Sequence, residues 1–333
     1  MRVRVSSGSA AALGLVDIRR DVEVTTAYVM IGGGECAFGC SFCPQSRESH
    51  SSRRFLSRIS WPEYRAEDLI ERLLVVQAGG EGPRRLCLQV VGSSNGPRDA
   101  ERFLERYRGA GGKLPLSVNV AIFTVAAARR FFQAGADRLG LALDAATPDL
   151  FERHKLDRPG AWEERMQLLE DLARCYPGQI STHFIAGLGE TEEEMVRAMY
   201  RAIASGITVA LFAFTPVRGT LLEHRSPPDL AFYRRMQLAR FLMQERGARP
   251  EDFRFGRGGI ESLGIDVGIE DLALAFRTSG CPDCNRPYYN ERPDETPYNY
   301  PRPLETSEVV EAARSTGILD VGSAGLKEVN AGE

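Results

Sequence analysis

The sequence predicts an α/β protein built as a TIM-type (β/α) barrel, complete or nearly complete, with a C-terminal lid. Three observations carry this prediction. Short apolar runs alternate with amphipathic stretches over residues 25–280, and such alternation implies parallel strands joined by right-handed crossovers. About eight units occur with nothing to mark a reversal of strand order, which favours a barrel over an open sheet. The chain has 333 residues, and a barrel of about 250 residues leaves residues 1–24 as an N-terminal extension and 281–333 as a C-terminal segment.

The strand candidates, in order, are Ala27–Ile31, Leu86–Val91, Leu116–Ile122, Arg138–Leu143, Ile180–Ile185, Thr208–Phe214, Phe253–Phe255 and Leu272–Phe276. The last two are short, so an incomplete barrel stays open. Helical periodicity falls between them, over Pro62–Gln77, Pro97–Arg108, Thr124–Ala134, Ala161–Cys175, Thr191–Ser205 and Leu230–Glu245. Thr147-Pro148 and Glu190-Thr191-Glu192 supply helix-starting residues, and Gly135, Gly178 and Gly206 stand near helix ends. From Cys281 to Pro303 the character changes, with six prolines and four tyrosines and little apolar periodicity. This stretch reads as a loop or lid ordered by contact, followed by one helix over Ser307–Ser315.

Charged residues make up 26% of the chain and the formal net charge is -3. There is no basic stripe of the kind nucleic acid requires. No run approaches the roughly 20 apolar residues that span a bilayer. An Ala-rich patch near the N-terminus is broken by Asp17 and Asp21 too early for a signal peptide. These features predict a cytoplasmic protein. Seven cysteines in a reducing compartment point to metal binding before disulfides.

Cys36, Cys40 and Cys43 sit in one short loop after the first strand, spaced C-x3-C-x2-C, with Gly32, Gly33 and Gly34 before Cys36 and Gly39 after it. Glycines on both sides let the backbone curl around an object. Three thiolates on a four-iron cube leave one iron open, and an open iron can chelate a substrate's amino and carboxylate groups. Structural zinc, a redox dithiol, packing cysteines and an electron-transfer cluster are the alternatives. Zinc calls for a fourth nearby ligand, and the one neighbouring histidine is His50. An electron carrier calls for a fourth cysteine, a dithiol needs only two, and packing cysteines would not be separated by glycine and polar residues.

This motif, with the aromatic Phe42 before its last cysteine, resembles the signature of the radical S-adenosylmethionine (SAM) superfamily. The run Cys43-Pro44-Gln45-Ser46 resembles the biotin synthase branch. The resemblance implies a 4Fe–4S cluster on Cys36, Cys40 and Cys43 that binds the methionine end of SAM. One electron then cleaves SAM, and a 5′-deoxyadenosyl radical abstracts a hydrogen atom. Strand ends carry ligands in this fold, and the family likeness extends to several of them. Gly92-Ser93-Ser94 resembles the turn that meets the methionine amino group. Asp144 is similar to the ribose-binding aspartate. Arg165 resembles the arginine paired with the methionine carboxylate, with Arg158 as its rival. Ile185 and Gly187 resemble the turn against which adenine packs.

Cys281 and Cys284 form a Cys-Pro-x-Cys turn directly after the last strand candidate, which places them on the same face as the first cluster. Such a pair is a half-site for iron–sulfur or zinc, or a redox dithiol. Cys87 and Cys175 are expected on the opposite rim as incidental thiols. Biotin synthases resemble this chain but keep a second cluster on three strand cysteines and an arginine. Here Ser181, Asn119 and Ala121 stand on those strands without a thiol, and Arg257 resembles the arginine position.

The C-terminal Cys-Pro-x-Cys-Asn-Arg-Pro-Tyr-Tyr run is similar instead to the biotin-synthase-like proteins of two-component lipoyl synthases. That likeness implies sulfur insertion into a protein-bound octanoyl chain, an auxiliary iron–sulfur cluster consumed as donor, a second radical SAM protein as partner, and an electron donor such as ferredoxin or flavodoxin. In this reading Arg286, Tyr288, Tyr289 and Arg292 cover the mouth or receive the carrier. A different biotin-synthase-like chemistry (rearrangement or maturase) and a non-catalytic iron–sulfur scaffold are the alternatives. No catalytic acid or base stands out.

Overall fold

The structure is a computed structural model that describes residues 1–292 and 294–319; the end of the expected C-terminal segment, 320–333, lies outside the described residues. In chain order the elements are β1 (Arg2–Val5), α1 (Ser7–Ala12), β2 (Thr26–Ile31), the hairpin β3 (Phe55–Leu56) and β4 (Ile59–Ser60), β5 (Glu63–Arg65), α2 (Ala66–Gly79), β6 (Arg85–Val90), α3 (Gly96–Gly109), β7 (Leu116–Asn119), α4 (Val125–Gln133), β8 (Arg138–Gly140), α5 (Pro148–Lys155), α6 (Ala161–Cys175), β9 (Ile180–Ala186), α7 (Glu192–Ala204), β10 (Thr208–Ala213), α8 (Leu230–Arg246), β11 (Phe253–Gly256), β12 (Gly259–Leu263), α9 (Ile269–Ala275) and α10 (Thr306–Arg314).

The main sheet runs β10-β9-β8-β7-β6-β2-β1-β5. Strands β2 and β6 to β10 are parallel and pair in sequence order. β1 and β5 extend the sheet antiparallel beyond β2. The first six strand candidates thus fall on the six parallel strands, while residues 1–24, expected as a bare extension, supply β1 and α1.

The last two candidates are corrected. Phe253–Phe255 pairs only with β12 in a separate two-stranded sheet, with Arg254 and Gly256 exposed. Leu272–Phe276 lies in and at the end of α9. Leu272, Ala275 and Phe276 are all buried, and their i, i+3, i+4 spacing is helical rather than strand-like. The sheet is therefore not a completed eight-stranded barrel.

The seam between β2 and β10 is filled by residues 279–290, which make no strand. Their bonds run along it from floor to mouth. The carbonyl of Asp283 accepts the hydroxyls of Thr25 (2.5 Å) and Thr26 (2.6 Å) at the start of β2, and that of Pro282 accepts Arg85 Nε at the start of β6 at 2.7 Å. Ser279 Oγ accepts the Leu211 N–H at 2.8 Å. At the other end, Asn290 Nδ2 donates to the Ala213 carbonyl at 2.7 Å. The Cys281–Tyr289 stretch is thus a stave in the wall, where a lid over the mouth was expected.

Each parallel strand alternates faces, as pleating requires. Ala27, Val29, Leu86, Leu88, Leu116, Val118, Val209 and Leu211 pack outward against the helices in the main core. Most inward positions are polar or small, namely Arg85, Cys87 and Gln89, Ser117 and Asn119, Gly140 and Ala142, Ser181 and His183, and Ala210, while Tyr28, Met30, Ile185 and Phe212 are the larger side chains that face in. A barrel packed with bulky branched side chains has a solid interior. This one keeps a cavity of about 330 Å³.

Candidate functional site

The first cysteine loop follows β2, and Cys36, Cys40 and Cys43 all line the cavity. Two anchors hold the loop. Ala37 N–H donates to the Gly92 carbonyl at 2.9 Å, and Ser41 N–H to the His154 carbonyl at 2.7 Å. His154 adds a second tie, with Nε2 2.9 Å from the Leu188 carbonyl and Nδ1 3.1 Å from Ser41 Oγ. The carbonyl requires the proton on Nε2, so Nδ1 accepts from the serine. Gly92 is needed for space. A Cβ there would come within 2.3 Å of the Phe38 ring and 3.2 Å of Cys36 Sγ. Burial pushes Cys43 up to about 12 and raises Cys40 as well, so both are protonated thiols until an electrophilic metal displaces the proton.

Beside this loop stands a buried charge cluster. Asp144 follows β8 with φ of 65°, and its Oδ1 lies 2.8 Å from His183 Nε2. Its Oδ2 accepts from Lys155 Nζ, also buried. Burial alone would raise Asp144; Lys155 and His183 outweigh it and hold the carboxyl well below the usual range. Lys155 ends α5, whose start Thr147 caps by accepting the Leu150 N–H, and a cation suits a helix C-terminus. Its Nζ lies 6.0 Å from the centroid of Phe42 and 5.7 Å from that of Phe151. Arg165 stands one helix later, on the buried stripe of α6 with Trp162, Met166 and Leu169. Its guanidinium sits over Phe151 at 5.4 Å and donates to the Ala142 carbonyl at 3.2 Å. The rival Arg158 is exposed and paired with Glu164.

The other expected cofactor positions divide. Phe42, Gly92, Asp144, Arg165 and Ile185 line the cavity. Ser93 is buried with its hydroxyl unpartnered, Ser94 is exposed, and neither lines the cavity. Gly187 also stands outside it; its N–H donates to Glu190 Oε1 at 2.6 Å, closing a carboxylate-capped turn. Arg257 is exposed at the tip of the β11–β12 hairpin.

The second cysteine pair lies elsewhere than expected. Cys281 and Cys284 line the same cavity as the first loop, but the Asp283 and Pro282 bonds hold their turn at the N-terminal ends of the strands, opposite the mouth. Cys87 points inward and joins them, close enough that Cys281 and Cys284 add to the burial that raises its thiol. Cys175 is an exposed thiol at the end of α6. Between the two groups of thiols runs an apolar wall of Tyr28, Met30, Trp61, Val91 and Tyr289. Arg286 completes the floor, its guanidinium 3.7 Å from the Phe212 ring centroid.

Residues 30–202 match the family described as the Radical SAM superfamily, just over half of the chain and including the whole three-cysteine loop. The chain belongs to the radical SAM superfamily. Among curated proteins it is similar to biotin synthase from Picosynechococcus sp., at 26% identity over 74% of this chain and 68% of that one. It is likewise similar to biotin synthase from Synechococcus sp., at 29% identity over 65% of this chain and 68% of the relative. Among solved structures it shares its fold with methylornithine synthase (TM-score 0.51, 15% identity, covering 97% of this chain and 90% of that one). It also resembles the FeFe-hydrogenase maturase from Carboxydothermus hydrogenoformans (TM-score 0.52, 16% identity, 71% and 55% covered).

Radical SAM membership implies a 4Fe–4S cluster and SAM, and the residues present fit both. Three thiols of one loop reach a cavity mouth that Gly92 keeps clear. Asp144 offers a carboxylate for a diol, while Arg165 and Lys155 offer cations for a carboxylate. His154 and Lys155 carried no signal in the sequence beyond their place at a helix end, because their partners come from other strand ends. Among the described residues no helix is long and apolar enough to cross a membrane.

Proposed function

We propose that this radical SAM enzyme inserts sulfur, as one component of a two-protein lipoyl synthase acting on the octanoyl chain of a carrier protein. The observation that carries the proposal is the shared cavity, with Cys36, Cys40 and Cys43 at its mouth and Cys281 and Cys284 at its floor. The bound cluster and SAM supply a radical able to break an unactivated C–H bond, and an auxiliary iron–sulfur cluster on the floor supplies sulfide.

The chain's own residues do the placing. Sulfur insertion needs the reacting carbon held between hydrogen abstractor and sulfur source at near-contact distance from both. The wall between the two thiol groups is apolar and aromatic, which suits an alkyl chain lying along it. Biotin synthase, to which the chain is similar, supports sulfur chemistry by its name. The missing strand thiols at Ser181 and Asn119 argue for a different acceptor. A second radical SAM protein, the lipoyl carrier and a ferredoxin or flavodoxin complete the system in this reading.

The test is anaerobic turnover of the reconstituted protein with SAM, a reductant and an octanoyl-lysyl peptide. Formation of 5′-deoxyadenosine together with a peptide that gains sulfur supports the proposal. Deoxyadenosine without sulfur gain, with the second protein present, removes it in favour of rearrangement or maturase chemistry. No SAM cleavage at all would point to a scaffold.

A further inference from the structure

We propose, resting on the auxiliary-cluster reading above, that Cys87 is the third thiol ligand of that site, so that a strand cysteine and the Cys281–Cys284 turn hold one cluster between them. Cys87 lies on β6 and the turn lies in the seam, yet all three thiols open on the same cavity floor. Of the seven cysteines, six then fall into two groups of three, one at each end of the cavity.

The hydrogen bonding around these sulfurs points to ligation. A neutral thiol is a weak acceptor, yet side-chain donors are aimed at two of them. Gln89 Nε2 lies 3.2 Å and Asn119 Nδ2 3.4 Å from Cys87 Sγ. Asn119 reaches that position because Gly140 leaves room: a Cβ there would sit 2.0 Å from Asn119 Oδ1. On the other side, Tyr28 Oη stands 3.4 Å from Cys284 Sγ. That oxygen already accepts the N–H groups of Asn285 and Arg286, each at 3.1 Å, which leaves its proton for the sulfur. Donors converging on sulfur stabilise thiolate ligands and tune a cluster. The Arg286 guanidinium, fixed by the Ser279 carbonyl at 3.1 Å, adds positive charge where thiolates and sulfide would gather.

The experiment uses anaerobically reconstituted full-length protein in a Cys36→Ala/Cys40→Ala/Cys43→Ala background, which removes the first cluster. Iron and sulfide are counted and the reduced protein's EPR spectrum recorded, with and without Cys87→Ala or Cys87→Ser. Thermal melting of the unreconstituted forms checks folding. The expected result is a cluster in the background protein that Cys87→Ala abolishes, with iron falling several-fold, and that Cys87→Ser retains in part with a shifted EPR signal. A cluster with unchanged iron and EPR in both variants overturns Cys87 as a ligand and leaves the auxiliary reading standing. A background protein that takes up no iron overturns the auxiliary reading itself, and this assignment with it.

Discussion

The hydroxyl of Tyr28, on the first parallel strand, lies 3.4 Å from the sulfur of Cys284, in the C-terminal stave. The same oxygen accepts the backbone N–H groups of Asn285 and Arg286, so one side chain both positions a thiol and closes the seam of the barrel. Tyr28→Phe strands two buried donors, each costing about 1–3 kcal/mol. The expected outcome is a lower urea midpoint and faster hydrogen exchange at the amides of Asn285 and Arg286. Unchanged exchange there would show that the stave is held by its other bonds.

The Asp144–Lys155 pair is buried on both sides, with side-chain exposures of 5% and 8%. Breaking such a pair from one side leaves an unpaired charge in the interior, at about 3–5 kcal/mol. Asp144→Asn is therefore expected to destabilise the protein by that order. Adding Lys155→Met to Asp144→Asn should recover most of the loss, measured with both single variants as a double-mutant cycle in urea. SAM binding by equilibrium dialysis should weaken in both variants.

Gly92→Ala places a methyl group against Phe38 and Cys36, and overpacking of this kind costs about 1–3 kcal/mol. The strain falls on the first cysteine loop. The expected result is reduced iron at that loop with floor iron unaffected, read by counting iron in the single variant and in a Cys281→Ala/Cys284→Ala background. Equal iron uptake with and without the methyl group would show that the loop yields.

Burial raises the Glu291 carboxyl to about 7, against about 4.3 in an unfolded chain. The folded state thus binds this proton more tightly. The stability it contributes is fully present below the unfolded value and is lost as pH rises through 7. Glu291→Gln keeps an acceptor for the Tyr298 N–H, which now bonds to Oε2 at 3.1 Å, and removes the titration. Between pH 5 and pH 8 the variant should gain on the order of 2 kcal/mol relative to wild type, measured by urea unfolding at each pH. Parallel pH profiles would refute this.

Much of the fold was legible because its signals are local. Six apolar runs marked the six parallel strands, and Ala161–Cys175 was readable as α6 to the residue. The readings that failed lay where one pattern serves two structures. Leu272, Ala275 and Phe276 form a short apolar run either as a strand or as one helical turn. At the site, Arg165 was separable from Arg158 only by burial, since α6 turns the first inward while Glu164 holds the second at the surface.

By itself, the sequence determined the three-cysteine loop, its place after a strand and the radical SAM character that follows, since all of these reside in residues a few positions apart. Tertiary structure alone decided that Cys87 faces inward and that Cys281 and Cys284 meet it on the floor. A strand buried on both faces, as Leu86, Cys87 and Leu88 are, does not declare in its composition which residues point to the core and which to a cavity. Nor can a proline-rich tail announce its path, for that path is set by Thr25, Thr26, Tyr28 and Arg85 on strands more than two hundred positions earlier in some cases, which offer donors and an acceptor only once the seam between first and last strands exists.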